Sequence, residues 1–217
     1  MNPSHHPGEA LLIDYAAGNL GRPVSVVIAT HLSLCSACRE TVALCEALGG
    51  AFLGSEPSES PDAVSAEAVL DKLSETPAAS KPRTVADDPI FPAALLARMP
   101  AGPSALRWWP ALPGLRFTRL RLAPSGEAVW LLRMKANASL PQHTHAGTEA
   151  LCVLDGQFTD STGEYRRGDF AACGSDIEHR ATAGHDGCMC VLGLDGPLLF
   201  PGPVGWIAKV LVKANSV

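Results

Sequence analysis

The amino-acid sequence predicts two domains, an all-α domain at the N-terminus and an all-β barrel or jelly roll at the C-terminus. Apolar residues recur at helical spacing up to about residue 75, and beyond about residue 105 they fall into short runs typical of strands. A proline-containing segment without clear periodicity, residues 76–93, separates the two patterns. We therefore predict a helical domain over residues 1–76, a linker and entry to the barrel over 77–104, and the β domain over 105–217.

Four helices are predicted in the N-terminal domain, and local signals mark several of their ends. Pro23 suits the first turn of the second helix, and Ser36 is a good cap for the third. Gly49 and Gly50 are predicted to end that third helix, and the polar segment 54–61 is predicted to be a linker. The predicted helices cover residues 8–20, 24–34, 36–50 and 63–73.

The fourth predicted helix is open to two interpretations. Its moderate apolar stripe consists of Val64, Ala68, Leu70 and Leu73. Because linkers flank it on both sides, it need not pack on the first three helices. It either completes a four-helix bundle or forms an arm that packs on a partner.

Short apolar runs broken by Gly, Pro, Asp and Ser predict strands in the C-terminal domain. Regularly spaced short strands with turn signals between them are typical of a closed antiparallel barrel or a jelly roll. Residues 163–169 are predicted to form a turn. The predicted strands cover residues 116–122, 128–134, 150–154 and 188–192.

Composition and charge exclude several classes of function. The start of the chain has neither the basic flank nor the apolar core of a secretory signal, and no apolar run approaches the ~20 residues of a membrane span. Seven cysteines do not form a small secreted disulfide framework, which favours the reducing cytoplasm. Residues 1–80 hold ten acidic and three basic side chains. This acidic domain repels nucleic acid and suits a basic protein partner better.

The first candidate site combines two thiols and two imidazoles. Cys35 and Cys38 form a Cys-x-x-Cys pair, and His31 precedes Cys35 by one helical turn. His6, from a separate segment, completes the tetrahedral donor set that zinc prefers, although neighbouring His5 is an alternative ligand. Such a site would stabilise a helical domain with a small core. The competing interpretation is that the cysteines are buried small residues or a redox pair.

The second candidate site contains only imidazoles and a carboxylate. His143, His145 and Glu149 share the parity of one strand face, which would be the inside of a barrel. His179 follows on a later segment. This donor set suits Zn, Mn, Fe or Ni, and ligand type alone does not choose among them. The competing interpretation is that these histidines face solvent or make only local hydrogen bonds.

The remaining cysteines are ambiguous. Cys188 and Cys190 alternate on a predicted strand with His185 nearby, so both are either oxidisable thiols beside the second site or small core residues. Cys152 and Cys173 are predicted to be core residues.

The N-terminal site resembles that of a known class of regulators. A histidine, about 24 further residues and then His31-x-x-x-Cys35-x-x-Cys38 in a short acidic helical domain is similar to the pattern of zinc-binding anti-sigma factors. Those proteins bind an extracytoplasmic-function (ECF) sigma factor and block its access to RNA polymerase. This likeness covers residues 1 to about 75.

The C-terminal site resembles the two cupin motifs. The residues that carry this likeness are His143, His145, Glu149 and Gly156 for the first motif, and Gly168 and His179 for the second. The departures are Asn137 in place of a glycine, Gly174 and Asp176 in place of proline and glycine, and Ala183 where asparagine is common. These departures weaken the second motif but leave every ligand position filled.

A zinc anti-sigma domain followed by a cupin is the arrangement of the ChrR family, which this chain resembles over nearly its whole length. The resemblance implies a structural zinc site formed by His6, His31, Cys35 and Cys38. It implies a second metal, commonly zinc, held by His143, His145, Glu149 and His179. It also implies an ECF sigma factor as the partner, in a 1:1 complex, with no direct nucleic-acid or membrane contact.

The family function that follows is regulation by sequestration. The N-terminal domain binds the sigma factor, and the cupin is needed for its release under oxidative stress, such as singlet oxygen or organic peroxide. An alternative is a metal-dependent oxygenase or isomerase with an accessory zinc-binding module. The sequence shows no clear additional acid, base or substrate-binding motif near the second site. A DNA-binding zinc finger is disfavoured by the acidic charge of residues 1–80.

Overall fold

The structure is a computed structural model that describes residues 2–55, 66–74, 88–99, 101–122 and 126–201. The predicted linkers over 56–61 and 76–87 lie outside these residues. The helices are α1 (Glu9–Ala16), α2 (Arg22–Leu32), α3 (Ser36–Ser55), α4 (Ala66–Ser74) and the short α5 (Ala93–Leu96). The strands are β1 (Trp109–Leu112), β2 (Leu115–Arg121), β3 (Ala128–Met134), β4 (Thr144–His145), β5 (Glu149–Thr159), β6 (Glu164–Arg166), β7 (Phe170–Cys173), β8 (Thr182–Leu194) and β9 (Leu198–Leu199).

The first three helices form the predicted helical domain, with one wrong boundary. Pro23 lies in the first turn of α2, as expected. Helix α3, however, continues through Gly49 and Gly50 to Ser55. Each interior glycine costs only about 1 kcal/mol relative to alanine, and the next residue that cannot continue a helix is Pro57. The predicted linker therefore starts too early, at residue 54.

Helix α4 is present close to its predicted position. The described side chains of α4, Glu67–Lys72, are all exposed, so this helix is not buried in a four-helix bundle. Its apolar residues include Val69 and Leu70, which are 46% and 63% exposed. This exposure favours the arm interpretation over the bundle interpretation.

The C-terminal domain has the cupin jelly-roll arrangement that the strand pattern predicts. One antiparallel sheet has the strand order β1-β2-β3-β8-β5-β6, with β7 also paired to β5. A second sheet consists of β4 and β9, and an isolated bridge joins His143 to His179. Residues 163–169, predicted as a turn, contain the short strand β6 because Gln157–Thr159 of β5 offers it an antiparallel partner.

Strand β5 separates two apolar clusters and lies next to both. Leu151 and Val153 point into the barrel, whereas Ala150, Cys152 and Leu154 point to a second cluster. That second cluster joins barrel residues to Val27 and Ile28 of α2 and to Leu95 of α5. The two domains therefore share a core.

Helix α2 lies directly against β8. A Cβ atom at Gly193 would lie 2.5 Å from the carbonyl oxygen of Pro23, so only glycine permits this approach. No helix within the described residues is long and apolar enough to cross a membrane.

Candidate metal centres

The first donor set is assembled at the junction of the two domains, and we call it the thiolate centre (His6, His31, Cys35 and Cys38). Helix α2 carries His31 in its last turn, and α3 carries Cys38 in its first turn. One donor atom from each of the four residues lies within 4.8 Å of all the others. The structure therefore brings together all four predicted ligands of this site.

The donor distances match a tetrahedral ion. His6 Nδ1 lies 3.5 Å from Cys35 Sγ and 3.4 Å from Cys38 Sγ, and His31 Nε2 lies 3.4 Å from Cys38 Sγ. Zinc–ligand bonds of about 2.0–2.3 Å in a tetrahedron require ligand–ligand separations of about 3.3–3.8 Å. These three separations fall in that range, and all four donor atoms lie within 4.8 Å of one another, so the chemistry and spacing of the set fit one tetrahedral metal ion.

His6, rather than His5, belongs to this cluster. The His5 ring packs against Tyr165, with ring centroids 4.5 Å apart, and its Nδ1 lies 3.4 Å from Asp169 Oδ2. Consecutive residues of an extended segment point in opposite directions, so one histidine faces the cysteines while the other faces the barrel.

The His31 ring is oriented by the barrel domain. Its Nδ1 donates a hydrogen bond to the Gly168 carbonyl oxygen at 2.7 Å, which leaves Nε2 free to face the thiols. The ring is fully buried, and burial lowers the pKa of His31. Burial and the neighbouring Cys35 raise the pKa of Cys38 to about 11. A bound cation would deprotonate that thiol.

The second donor set lies inside the barrel, and we call it the cupin centre (His143, His145, Glu149 and His179). Donor atoms from all four residues again lie within 4.8 Å of one another, and all four residues are buried. Glu149 Oε2 lies 2.7 Å from His145 Nε2, 3.6 Å from His179 Nε2 and 3.9 Å from His143 Nε2. The structure brings together every predicted ligand of this site as well.

The three imidazoles are held by their outer nitrogens. Nδ1 of His143 lies 2.9 Å from the Pro141 carbonyl oxygen, and Nδ1 of His145 lies 3.4 Å from that of Gly174. Nδ1 of His179 lies 2.7 Å from Asp160 Oδ2.

The inner nitrogens lack comparable partners. All three Nε2 atoms are buried without a hydrogen bond of ordinary geometry. Imidazole rings that are fixed from outside and point their other nitrogen inward are typical of a metal site. A bound metal ion would give these three buried Nε2 atoms a partner.

Electrostatics within the cupin centre favour charged side chains. Burial alone would raise the pKa of Glu149, but the three imidazoles outweigh it and hold the pKa well below its usual range. The hydrogen bond that His179 donates to Asp160, with contributions from Cys173 and Glu149, raises the pKa of His179 to about 12.

The space beside these ligands is small. The cavity has a volume of about 20 Å³, and its lining combines His143, Glu149 and His179 with apolar side chains. One water-sized molecule needs about 10–15 Å³. As bounded by the described residues, the cavity accommodates an ion or a water rather than an organic substrate, which typically occupies about 300–1,000 Å³.

The barrel cysteines are all buried, and two of them also line the cupin cavity. Cys173, predicted as a core residue, lines the cavity, and its Sγ lies 3.8 Å from His179 Nδ1. Cys190 also lines the cavity, whereas Cys152 belongs to the cluster under α2. His185 is exposed on β8. Cys173 reaches the site because its residue on β7 pairs with Glu149 on β5, a register that sequence spacing does not reveal.

Several supporting residues were not predicted from the sequence. Asp160 orients His179, and Gly168 orients His31. Asp169, which is buried, binds the segment that carries His6 through the Ser4 and His5 backbone N–H groups, at 2.6 and 3.1 Å. The only available signal was the turn-forming composition around Asp160 and Gly168.

Asn137, one of the departures from the first cupin motif, preserves the backbone conformation that a glycine would provide. Its φ is +57°, within the left-handed region that asparagine tolerates better than most residues. The substitution therefore leaves the turn before the cupin ligands intact.

Comparison with known proteins agrees with the fold. Residues 97–196 match the family described as the ChrR cupin-like domain. The anti-sigma-E factor ChrR of Cereibacter sphaeroides is 34% identical over 209 residues, which are 92% of this chain and 93% of that protein.

A solved structure extends the likeness to three dimensions. In the crystal structure of Rhodobacter sphaeroides SigE in complex with the anti-sigma ChrR, one chain aligns with a TM-score of 0.75 and 31% identity. The alignment covers 88% of this chain and 98% of the other. Because the identity exceeds 30% over almost the whole length of both chains, the chain belongs to the ChrR family.

Proposed function

We propose that this protein is an anti-sigma factor that sequesters an ECF sigma factor through its helical domain. Its cupin domain responds to oxidative stress, such as singlet oxygen or organic peroxide, and causes release of the sigma factor. The relatives are an anti-sigma factor and a chain from a sigma–anti-sigma complex, which supports the same role here. Such a partner acts on RNA polymerase, so we place the protein in the cytoplasm.

The observation that carries this proposal is an exposed apolar stripe on α3. Leu44, Leu48 and Phe52 are spaced four residues apart on one helix face and are 63%, 53% and 71% exposed. Cys38 and Val42 lie on another face and are buried. A row of large apolar side chains in water at this spacing is typical of a helix that inserts into a groove of a partner.

Charge supports a protein partner over nucleic acid. The acidic excess of residues 1–80 repels phosphate and attracts a basic surface, such as a sigma factor presents to DNA. We propose a 1:1 complex in which this domain competes for such surfaces, without direct contact to nucleic acid or membrane.

We propose different roles for the two metals. The thiolate centre holds a structural zinc through His6, His31, Cys35 and Cys38, which fixes the junction of α2, α3 and the N-terminal segment. The cupin centre holds a second divalent ion through His143, His145, Glu149 and His179, with zinc preferred over Mn, Fe or Ni. We also propose that the functional division follows residues 1–76, 77–104 and 105–217.

The alternative, a cupin oxygenase or isomerase, has less support. A cavity of about 20 Å³ does not admit the organic substrates of such enzymes. The four buried donor atoms suit an ion, and the small cavity beside them leaves little room for a metabolite, so this site suits contact with a small oxidant better than turnover of a metabolite.

The test is binding and inhibition of the ECF sigma factor encoded nearest to this gene. The full chain is co-expressed with that factor, and complex formation and promoter activity are measured. Phe52→Asp, which places a charge in the stripe, should reduce binding at least tenfold. Ala43→Asp, which places the same charge on another exposed face of α3, should leave binding within about twofold. Equal loss in both variants, or no complex with the unaltered chain, would reject the proposed role.

A further inference from the structure

The thiolate centre is completed by a corner of the barrel domain. This corner (residues 166–170) joins β6 to β7. The Gly168 carbonyl accepts the hydrogen bond from His31, and the Phe170 ring lies edge-on to that imidazole with centroids 6.0 Å apart. A ligand of the helical domain is therefore positioned by two adjacent parts of the barrel.

The corner also binds the segment that delivers His6. Asp169 Oδ1 accepts hydrogen bonds from the Ser4 and His5 N–H groups, and Phe170 N–H donates to the His5 carbonyl oxygen at 3.0 Å. Asp169 Oδ2 accepts from Arg166 N–H at 2.8 Å, which ties the same carboxylate to the turn. Movement of the corner would thus displace two of the four zinc ligands together.

Space at the corner is tight. Gly168 has a φ of +90°, and a Cβ atom there would lie 2.9 Å from Pro3 Cγ and 3.5 Å from Leu34 Cβ. The N-terminal segment and the end of α2 are therefore packed against the corner itself, and a shift of one requires a shift of the other.

Strand β7 leads directly from the corner to the cupin centre. It begins at Phe170 and ends at Cys173, a span of about 10 Å at ~3.3 Å per residue. Cys173 pairs with Glu149 across the sheet, and its Sγ lies 3.8 Å from His179 Nδ1. Strand β7 therefore begins at the corner that positions His31. It ends at Cys173, which contacts the two cupin ligands Glu149 and His179.

We propose that β7 couples the two centres, so that a metal in the cupin centre strengthens metal binding at the thiolate centre. The inference rests on the metal sites of the proposed function. A filled cupin centre fixes Glu149 and His179, which fixes β7 and holds the corner against His31 and Ser4. An emptied or altered cupin centre loosens the corner and weakens metal binding at the thiolate centre, which orders the helical domain. Gly168 and Asp169 are positioning residues of the thiolate centre.

The experiment uses Co²⁺ and the full chain. Cysteine-to-cobalt charge-transfer absorption reports the thiolate centre, because the proposed cupin ligands are imidazoles and a carboxylate. Competition with a chelator, followed by this absorption, then gives the affinity of the thiolate centre. His143→Ala removes a cupin ligand while keeping its backbone bridge to His179. It should weaken Co²⁺ at the thiolate centre about fivefold or more, within the usual range of coupling between sites.

Two pairs of variants test whether the coupling passes through the corner. Ser4→Pro removes the backbone N–H group that donates a hydrogen bond to Asp169, whereas Ser4→Ala keeps that N–H group. Gly168→Ala places a Cβ atom against the Pro3 side chain. Gly126→Ala adds a Cβ atom at the same φ of +90°, but with no atom beyond its chain neighbours within 4 Å. In the Ser4→Pro and Gly168→Ala backgrounds, the added effect of His143→Ala should fall below about twofold, while both control backgrounds should retain it.

Other outcomes would overturn the coupling. An unchanged thiolate-centre affinity in His143→Ala would reject it and leave the anti-sigma role intact. An equal effect of His143→Ala in all backgrounds would reject the route through the corner. Absence of the thiolate absorption in the unaltered chain would instead reject the proposed thiolate site itself.

A reciprocal measurement needs no variant. Loading the thiolate centre first should strengthen metal binding at the cupin centre by the same factor, because coupling between two binding sites is reciprocal. No strengthening at the cupin centre would contradict the coupling, even if Ser4→Pro or Gly168→Ala failed to fold.

Discussion

The two donor sets each bring four donor atoms together but are built in opposite ways. The thiolate centre draws ligands from three segments, has the exposed His6 on its outer side and relies on another domain to orient His31. The cupin centre is buried, and each of its rings is held from outside by a partner within the same barrel. From this difference we expect a metal at the thiolate centre to organise its surroundings, and a metal at the cupin centre to enter a site that the fold has already organised.

The largest expected effect is removal of the thiolate pair. Replacing Cys35 and Cys38 by serine should remove one zinc per chain and abolish inhibition of the sigma factor, because metal binding supplies much of the folding free energy of so small a helical domain. Metal content and the promoter reporter measure both effects. Cys45→Ser, on α3 but outside the cluster, is the control and should behave like the unaltered chain. If the double variant still inhibited the sigma factor, metal binding at the thiolate centre would not be what orders the helical domain.

Removal of a cupin ligand should affect induction rather than inhibition. Glu149→Gln removes the charge that balances three imidazoles, so the barrel should lose its metal and unfold at lower temperature while the chain still inhibits the sigma factor. The reporter should then fail to respond to singlet oxygen or organic peroxide. His185→Ala, at an exposed histidine, is the matched control. Loss of sigma binding in Glu149→Gln would contradict this division of roles.

A smaller effect is expected at the carboxylate that orients His179. Asp160→Ala should weaken metal binding at the cupin centre by about 10–100-fold, the usual cost of losing such a partner. Asp160→Asn keeps an acceptor and should recover part of the affinity. Asp155→Asn, at an exposed carboxylate of β5, should change nothing. Metal titration of the three variants measures the series, and equal affinities would show that the ring is held by packing alone.

The smallest effect concerns pH. The raised pKa of His179, about 12, means that the metal must displace a proton from this ring at neutral pH. Metal affinity at the cupin centre should therefore rise with pH, by about tenfold per unit for one displaced proton. Calorimetry in buffers of different ionisation enthalpy measures the proton released. Asp160→Ala removes the main cause of the raised pKa and should flatten this dependence.

Spacing along the chain predicted which residues make up both donor sets, because the structure brings each set together. The expected single strand face was wrong, since His145 lies on β4 and Glu149 on β5, which belong to different sheets. The supporting contacts could not be predicted in this way. His31 is oriented by Gly168, 137 residues away, and Cys173 reaches the cupin centre only through its register with Glu149. These contacts depend on how the domains pack, which no local pattern encodes.

The C-terminal end of α3 likewise could not be predicted from the local sequence. Gly49 and Gly50 favour termination locally, but the helix continues, and its extension places Phe52 in line with Leu44 and Leu48. The added turns create an exposed surface that is unfavourable for an isolated protein and useful for one that binds a partner.

The position of β5 between two apolar clusters has a practical consequence for anyone who divides the chain. A fragment that starts at residue 105 would keep the barrel interior but expose Val129, Leu131 and Val191, which α2 and α5 now cover. Such a fragment would self-associate or precipitate at concentrations where the whole chain remains dispersed. The barrel has the topology of a separate domain, but it depends on α2 and α5 to cover its outer apolar residues and prevent aggregation. Studies of the isolated barrel therefore need α2 added as a peptide or fused to it.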